Sequence, residues 1–186
     1  MPQKAGLPRL SDLATYDETS GDLLAIVETP KGSGAKFDYD EEHGLFKLGG
    51  MLPQGTTFPF SFGFIPRTLA PDGDPLDVLL LMEEPAFAGC LVHCRLVGVI
   101  EAEQTEENGK TTRNDRLIAV AAHSREHSEV RSLKELSDAL VAEIEHFFTS
   151  YNEVRGKQFK PLGRFGPRRA QKLVEAGQRR RRRKRR

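Results

Sequence analysis

Short apolar segments separated by turn residues run through the first two thirds of the chain. Val78–Met82 is a continuous apolar run, which is typical of a buried strand. The pattern predicts a long strand at residues 91–103 and a last core strand at 117–121, and a weaker alternation predicts a first strand at 22–28. Asn108-Gly109 lies between two of these segments and predicts a tight hairpin turn. The first 121 residues therefore predict a mainly β architecture.

The last third of the chain changes to a helical period. Ser137 opens this segment, and the apolar positions that follow share one helical stripe: Leu140, Val141, Ile144, Phe147, Phe148 and Tyr151. Gly166-Pro167 predicts the start of a short second helix, which Gly177 would end. Together with the strands, these helices predict an α+β fold, a small closed barrel with helices packed outside.

The two ends of the chain differ in composition from the middle. Residues 1–21 are polar with several prolines and predict a loosely packed N-terminal arm, and residues 22–178 form the predicted barrel domain. Residues 179–186 are all Lys or Arg, and such a run of like charges predicts a disordered polybasic tail. The net charge is +1, but without this tail 20 basic residues face 27 acidic ones, a net charge of −7. The tail is thus a candidate contact for polyanions.

Length and hydropathy narrow the class of protein. A chain of 186 residues predicts a single domain with a real core. It contains no apolar run near the roughly 18 residues that a membrane helix needs, and its N-terminus lacks the apolar segment of a signal peptide. We therefore predict a cytoplasmic protein without a membrane span.

The stretch with the clearest chemistry is the acidic turn, residues 72–77, which places Asp72, Asp74 and Asp77 just before a buried strand. Gly73 allows a sharp bend and Pro75 prevents a helix. Clustered carboxylates suit Mg²⁺ or Mn²⁺, which bind carboxylate and water oxygens and usually a phosphate group as well. An ordinary acidic surface turn is the alternative, because Asp, Gly and Pro are common in turns. A calcium-binding EF-hand loop is excluded by the apolar residues and proline that follow.

The run from Asp72 to Val78 resembles the signature of soluble family I inorganic pyrophosphatases, and all seven positions match. The resemblance extends from about Asp22 to about Leu162. It implies a five-stranded OB-like barrel with flanking helices, and hydrolysis of pyrophosphate to two phosphates by a metal-activated water. It also implies several Mg²⁺ ions per site, with Mn²⁺ as a substitute, and a homo-oligomer, either a hexamer or a dimer.

The same resemblance assigns metal-binding and catalytic roles. Asp72, Asp74 and Asp77 would hold metal ions, and Asp74 would also orient or deprotonate the attacking water. Glu28 and Asp115 would serve the outer metals. Asn114 stands where the family has a metal-binding Asp. Because neighbours on a strand face opposite sides, we expect a bulge that turns Asp115 into the site instead.

Substrate-binding roles follow in the same way for four residues, namely Lys36, Arg116, Tyr151 and Lys157. Departures from the family pattern leave an alternative open. Phe58 and Phe62 replace tyrosines, Gly49 or Gly50 replaces a pocket Arg, and Asn152 replaces a Lys. These changes would suit a phosphoanhydride hydrolase with an altered pocket, or a weakened pyrophosphatase. A further alternative is an OB-like nucleic-acid-binding protein that acts through its basic tail.

Overall fold

The computed structural model describes residues 9–184. It contains nine strands: β1 Leu23–Thr29, β2 Ala35–Asp40, β3 Leu45–Met51, β4 Ser61–Ile65, β5 Leu76–Leu81, β6 Leu91–Thr105, β7 Thr111–Arg113, β8 Arg116–Ala121 and β9 Gln158–Phe165. Two α-helices, α1 Asp138–Glu153 and α2 Pro167–Lys184, follow β8 and β9 respectively, and short 3₁₀ turns lie at Leu10–Asp12 and Leu133–Glu135.

Five strands close into a ring. Their order is β1-β4-β5-β8-β6, and β6 pairs again with β1. All of these pairs are antiparallel except β5 with β8. Strands β7 and β9 pair with the long strand β6 beyond the ring, whereas β2 and β3 form a separate hairpin. The predicted fold, a small closed OB-like barrel with helices outside, is confirmed.

Alternating residues of the central strands belong to two different apolar clusters. Val78 and Leu80 of β5 belong to the cluster that includes Val174 of α2. Leu79 belongs to the other cluster, which includes Phe148 of α1. Strand β5 is therefore packed on both sides, and the acidic turn before it is attached to one of the most buried elements of the molecule.

The first helix begins where its sequence predicts. Ser137 is the N-cap, and its side chain accepts a hydrogen bond from the Leu140 amide at 3.2 Å. Val141, Ile144 and Phe148 are buried along one face, as the apolar stripe requires.

The second helix departs from the prediction. It does not end at Gly177 but continues to Lys184, so residues 179–184 of the predicted disordered tail are helical. The prediction of a disordered tail is therefore wrong for this part, and the predicted boundary between 178 and 179 falls inside a helix. Residues 185–186 lie outside the described residues.

Close packing explains the glycine within this helix. A Cβ on Gly177 would lie 2.8 Å from Leu76 Cδ1 and 3.1 Å from Thr68 Cβ, so only glycine fits without a shift. Beyond it, Arg180 Nε donates to the Leu69 carbonyl at 2.7 Å. Cations are also favourable at the C-terminal end of a helix, where the macrodipole is negative.

The N-terminal segment is better packed than predicted. Ser11 and Thr15 are buried, and Thr15 Oγ1 donates to the Pro66 carbonyl at 2.9 Å. Tyr16 bridges to Leu23 at the start of β1. The predicted loose arm is thus corrected for residues 9–21, and residues 1–8 lie outside the described part. Between residues 9 and 184 no helix is both long and apolar enough to cross a membrane.

Candidate active site

A cleft of about 760 Å³ opens where several elements converge. The acidic turn forms its floor together with β1 and β8, and the β2–β3 hairpin and the β6–β7 hairpin form two walls. The end of α1, the α1–β9 turn and the last turn of α2 complete it. Of the nine predicted site residues, Asp115 does not line this cleft and eight do: Glu28, Lys36, Asp72, Asp74, Asp77, Arg116, Tyr151 and Lys157.

Local hydrogen bonds fix the shape of the acidic turn. Gly73 has a φ of 103°, which favours glycine. The Asp74 amide donates to Asp72 Oδ1 at 3.2 Å, and the Asp74 carbonyl accepts from the Ala70 amide at 2.6 Å. Asp77 follows on β5. The turn therefore presents its carboxylates from a rigid base.

The carboxylates of the turn disfavour one another's ionised forms. Partial desolvation and the Asp77 charge raise the pKa of Asp72, and desolvation together with Asp72 and Asp38 raises the pKa of Asp74. Desolvation also raises the pKa of Asp77, although Arg116 and Lys36 oppose it. Negative charge is thus concentrated where a cation would relieve it.

Glu28 and Lys36 face each other from β1 and β2. Burial raises the pKa of Glu28 to about 7, although Lys36 and the Tyr39 amide, which donates to Glu28 Oε1 at 2.8 Å, oppose this. Burial lowers the pKa of Lys36, but the carboxylates of Glu28 and Asp38 raise it overall. Lys36 also pairs directly with Asp38. Its ammonium group is therefore held charged in the cleft.

Arg116 is the most enclosed cation of the cleft. Its guanidinium pairs with Asp77 and donates to the side chain of Asn114. The group lies 4.9 Å from the Phe148 ring centroid and 5.8 Å from that of Phe62, which favours a desolvated cation. Its Nε is buried and has no hydrogen-bond partner among residues 9–184. A buried donor without a partner indicates a place for an acceptor.

Arg155 is a cleft residue that the sequence did not reveal. Its Nη1 donates to the Tyr151 hydroxyl at 2.7 Å, and its guanidinium lies 5.3 Å from the Tyr151 ring centroid. The same nitrogen would lie 3.1 Å from a Cβ on Gly50, so glycine there leaves room for it. Arg155 lies in the turn just after α1, four residues beyond Tyr151, and this helix-like spacing could have been the signal. Lys157 pairs with Glu106 at 2.8 Å nearby.

Asp115 does not lie in the cleft, and its predicted role as a metal ligand is corrected. Its Oδ1 accepts from the Ala102 amide at 3.0 Å and pairs with Arg113 Nη2 at 2.8 Å. Asn114 faces the cleft instead and donates to Gln104 Oε1 at 3.0 Å. The expected bulge that would bring Asp115 inward is therefore wrong, because its carboxylate already has partners on the other side of the chain.

The donor set fits a hydrated divalent cation. Within residues 9–184, no three Asp, Glu, His or Cys side chains stand close enough together to hold an ion alone. Mg²⁺, however, usually keeps several waters and takes only one or two carboxylates together with substrate phosphates. Asp72, Asp74, Asp77 and Glu28 supply such oxygens in one cleft with raised pKa values.

A closed β ring that carries a cleft of carboxylates together with Lys and Arg is typical of a protein that binds metal ions and phosphate groups. A sequence profile of the inorganic pyrophosphatase family matches residues 25–182. The inorganic pyrophosphatase of Geobacillus stearothermophilus is 36% identical over 152 residues, which is 81% of this chain and 88% of that protein. This chain belongs to the inorganic pyrophosphatase family.

Solved structures agree with this assignment. The inorganic pyrophosphatase from Thermus thermophilus superposes with a TM-score of 0.85 at 32% identity and covers 94% of this chain and 99% of its own. The one from Coxiella burnetii gives 0.80 at 32% identity, over 90% of this chain and 99% of its own. The predicted family is therefore confirmed.

Proposed function

We propose that this protein hydrolyses inorganic pyrophosphate to two phosphates in the cleft, with Mg²⁺ as its cofactor and Mn²⁺ as a substitute. The observation that carries the proposal is the meeting of Asp72, Asp74 and Asp77 with Lys36 and Arg116 in one cleft. Family membership supports the same activity.

The acidic side of the cleft would bind the cofactor and direct the water. Divalent cations, when bound, neutralise phosphoryl oxygens and lower the pKa of water towards about 7. Asp72, Asp77 and Glu28 would hold them. Asp74, on the turn between the other two aspartates, would orient the attacking water and accept its proton. Its raised pKa brings it closer to the operating pH, which suits a general base.

The basic side would hold the phosphates. Lys36, Tyr151, Lys157 and Arg155 line the cleft, which supports this role. Arg116 offers a buried Nε without a protein acceptor in the described part of the chain, and a phosphate oxygen would satisfy it.

The test is phosphate release from pyrophosphate with and without Mg²⁺. Asp74→Asn keeps the shape of the side chain but removes the base, so we expect a loss of about 10²–10⁴ in kcat. Asp17→Asn is the matched control, because Asp17 lies in an exposed turn where its Oδ1 accepts from the Ser20 amide at 2.7 Å. If both Asp74→Asn and Asp77→Asn worked at the wild-type rate, the proposal would be wrong.

The altered pocket supports testing a second class of substrate, namely phosphoanhydrides other than pyrophosphate. Phe58 and Phe62 are buried beside the cleft and bring no hydroxyl to it, and Asn152 donates to the Phe148 carbonyl at 2.8 Å instead of facing a phosphate. ATP and tripolyphosphate therefore belong in the same assay. Faster hydrolysis of either than of pyrophosphate would favour a different phosphoanhydride as the substrate.

Location and assembly are proposals of the same kind. Cys94 is a buried free thiol, which supports a reducing compartment such as the cytoplasm. Large apolar side chains are exposed at Leu45, Met51 and Phe87, which supports association into a homo-oligomer. Light scattering of the purified protein would distinguish a hexamer from a dimer.

A further inference from the structure

The arginine-rich end of α2 is attached to the segment that leads into the acidic turn. The Leu69 amide donates to the Gly177 carbonyl at 3.1 Å, and Arg180 Nε donates to the Leu69 carbonyl at 2.7 Å. These contacts carry the last turn of the helix to the mouth of the cleft, where Arg181 and Lys184 are lining residues.

Arg181 is held in place at this mouth. Its Nη2 lies 3.2 Å from Asp12 Oδ1 and 3.4 Å from Glu41 Oε1, and its side chain is only 13% exposed. Both carboxylates contact the same nitrogen. The Nε of Arg181 is buried and finds no acceptor among residues 9–184. Because buried N–H groups are rarely unpaired, this donor indicates that an acceptor completes the site.

Lys184 supplies a second cation beside it. Three other cleft lysines are paired with carboxylates: Lys36 with Asp38, Lys47 with Asp40 and Lys157 with Glu106. Lys110, on the β6–β7 hairpin, has no ion pair among residues 9–184. Lys184 has no ion pair within the part of the chain that the structure describes, and it is exposed. Its ammonium group is therefore available to an incoming anion.

We propose that Arg181 and Lys184 form an outer anion subsite of the cleft, and that this subsite takes the terminal phosphate of a linear polyphosphate longer than pyrophosphate. The proposal rests on the proposed function, because the inner phosphates would occupy the place of pyrophosphate. Phosphate oxygens are good acceptors for guanidinium and ammonium groups. A cleft of about 760 Å³ has room for a chain of three phosphates.

The experiment compares two double variants with equal loss of charge. Arg181→Gln with Lys184→Gln removes the subsite. Arg182→Gln with Arg183→Gln removes two exposed cations of the same helix turn that do not line the cleft. Binding of tripolyphosphate and of pyrophosphate is measured by calorimetry with Mg²⁺, in an Asp74→Asn background that suppresses turnover. We expect the ratio of tripolyphosphate to pyrophosphate affinity to fall roughly tenfold in the first variant and to stay constant in the second.

Each outcome decides the proposal. Equal losses in both double variants would show that the effect is only the general field of a basic helix, and no change in the first would show that the subsite does not exist. If the first variant melts too low to assay, Lys184→Gln alone repeats the test, because it removes no ion pair among residues 9–184. Pyrophosphate hydrolysis by the wild type is a separate assay. If the wild type did not hydrolyse pyrophosphate, the proposed function would be overturned. The calorimetric comparison would still decide whether the subsite exists.

Discussion

At the scale of single residues, Asn114 and Asp115 show how a prediction depends on which side of the chain a side chain faces. The sequence placed Asn114 and Asp115 at the cleft but could not say which of them faces it. The Asp115 side chain is only 8% exposed, and a buried carboxylate needs partners, which Arg113 and the Ala102 amide provide. Arg113 is two residues away in sequence, but Ala102 lies on β6, and the local sequence does not show that this amide faces Asp115.

Exchanging charge at this pair should separate a cleft role from a structural one. Asn114→Asp adds a carboxylate next to Arg116, so we expect half-maximal activation at a lower Mg²⁺ concentration. Asp115→Asn breaks the pair with Arg113, so we expect a loss of about 1–3 kcal/mol in unfolding free energy and little change in the Mg²⁺ requirement. Mg²⁺ titrations and thermal melts measure both. The reverse pattern, in which only Asp115→Asn alters activation, would restore Asp115 as a ligand.

Some residues that reach the cleft from the later part of the chain were missed. The acidic turn was found from its local pattern, and Lys36 and Arg116 were assigned through the family resemblance. Arg155 and Arg181 enter the cleft only through the path that the chain takes after α1 and along α2. Their roles depend on tertiary contacts, and a single sequence carries little signal for those.

At the scale of elements, strands β3 and β9 were not predicted, and both contain breaker residues. Strand β9 contains Pro161 and Gly163, and it pairs with β6 across a register shift between Glu101 and Ala102. Strand β3 contains Gly49, whose Cβ would lie 1.8 Å from Asp38 Oδ2. Glycine and proline usually indicate turns, but here they mark an irregular edge and a close approach to the cleft.

The loop after β8 depends on one carboxylate, which gives a pH-dependent prediction. Glu83 Oε1 accepts from Ser124 Oγ at 2.7 Å and from the amides of Arg125 and Glu126 at 2.8 and 2.6 Å. These hydrogen bonds lower the pKa of Glu83 to about 2, and the bond from Ser124 has the largest effect. A lowered carboxyl pKa contributes stability that is present above the unfolded value of about 4.5 and is lost as the pH falls towards 2.

We therefore expect Glu83→Gln to lower the melting temperature at pH 7, and the difference from wild type to shrink between pH 4.5 and 2. Glu84→Gln, at the exposed neighbouring position, is the matched control and should differ little from wild type at any pH. Melting curves across this range measure the effect. A difference that stayed constant down to pH 2 would mean that the charge of Glu83 does not stabilise the loop.

At the scale of the whole molecule, the charge asymmetry of the sequence is resolved within the fold. Apart from its basic C-terminal residues, the chain carries a net charge of −7, and the helical end of α2 returns to that acidic surface. Arg181 meets Asp12 from the N-terminal segment and Glu41 from the β2–β3 turn. Like charges alone would have kept this segment unfolded, but attraction to the acidic surface and contacts with the Leu69 backbone oppose that repulsion.

Removal of residues 179–186 tests whether this end is part of the folded unit. A separate tail would be lost without consequence for stability. The structure instead places the Arg180 bond to the Leu69 carbonyl and the Arg181 ion pairs in this segment. Their loss should cost about 2–3 kcal/mol, or a fall of roughly 4–12 °C in melting temperature. The variant with Arg182→Gln and Arg183→Gln should melt close to wild type, since both side chains are exposed. A truncated chain that melted at the wild-type temperature would show that the helix end does not stabilise the barrel.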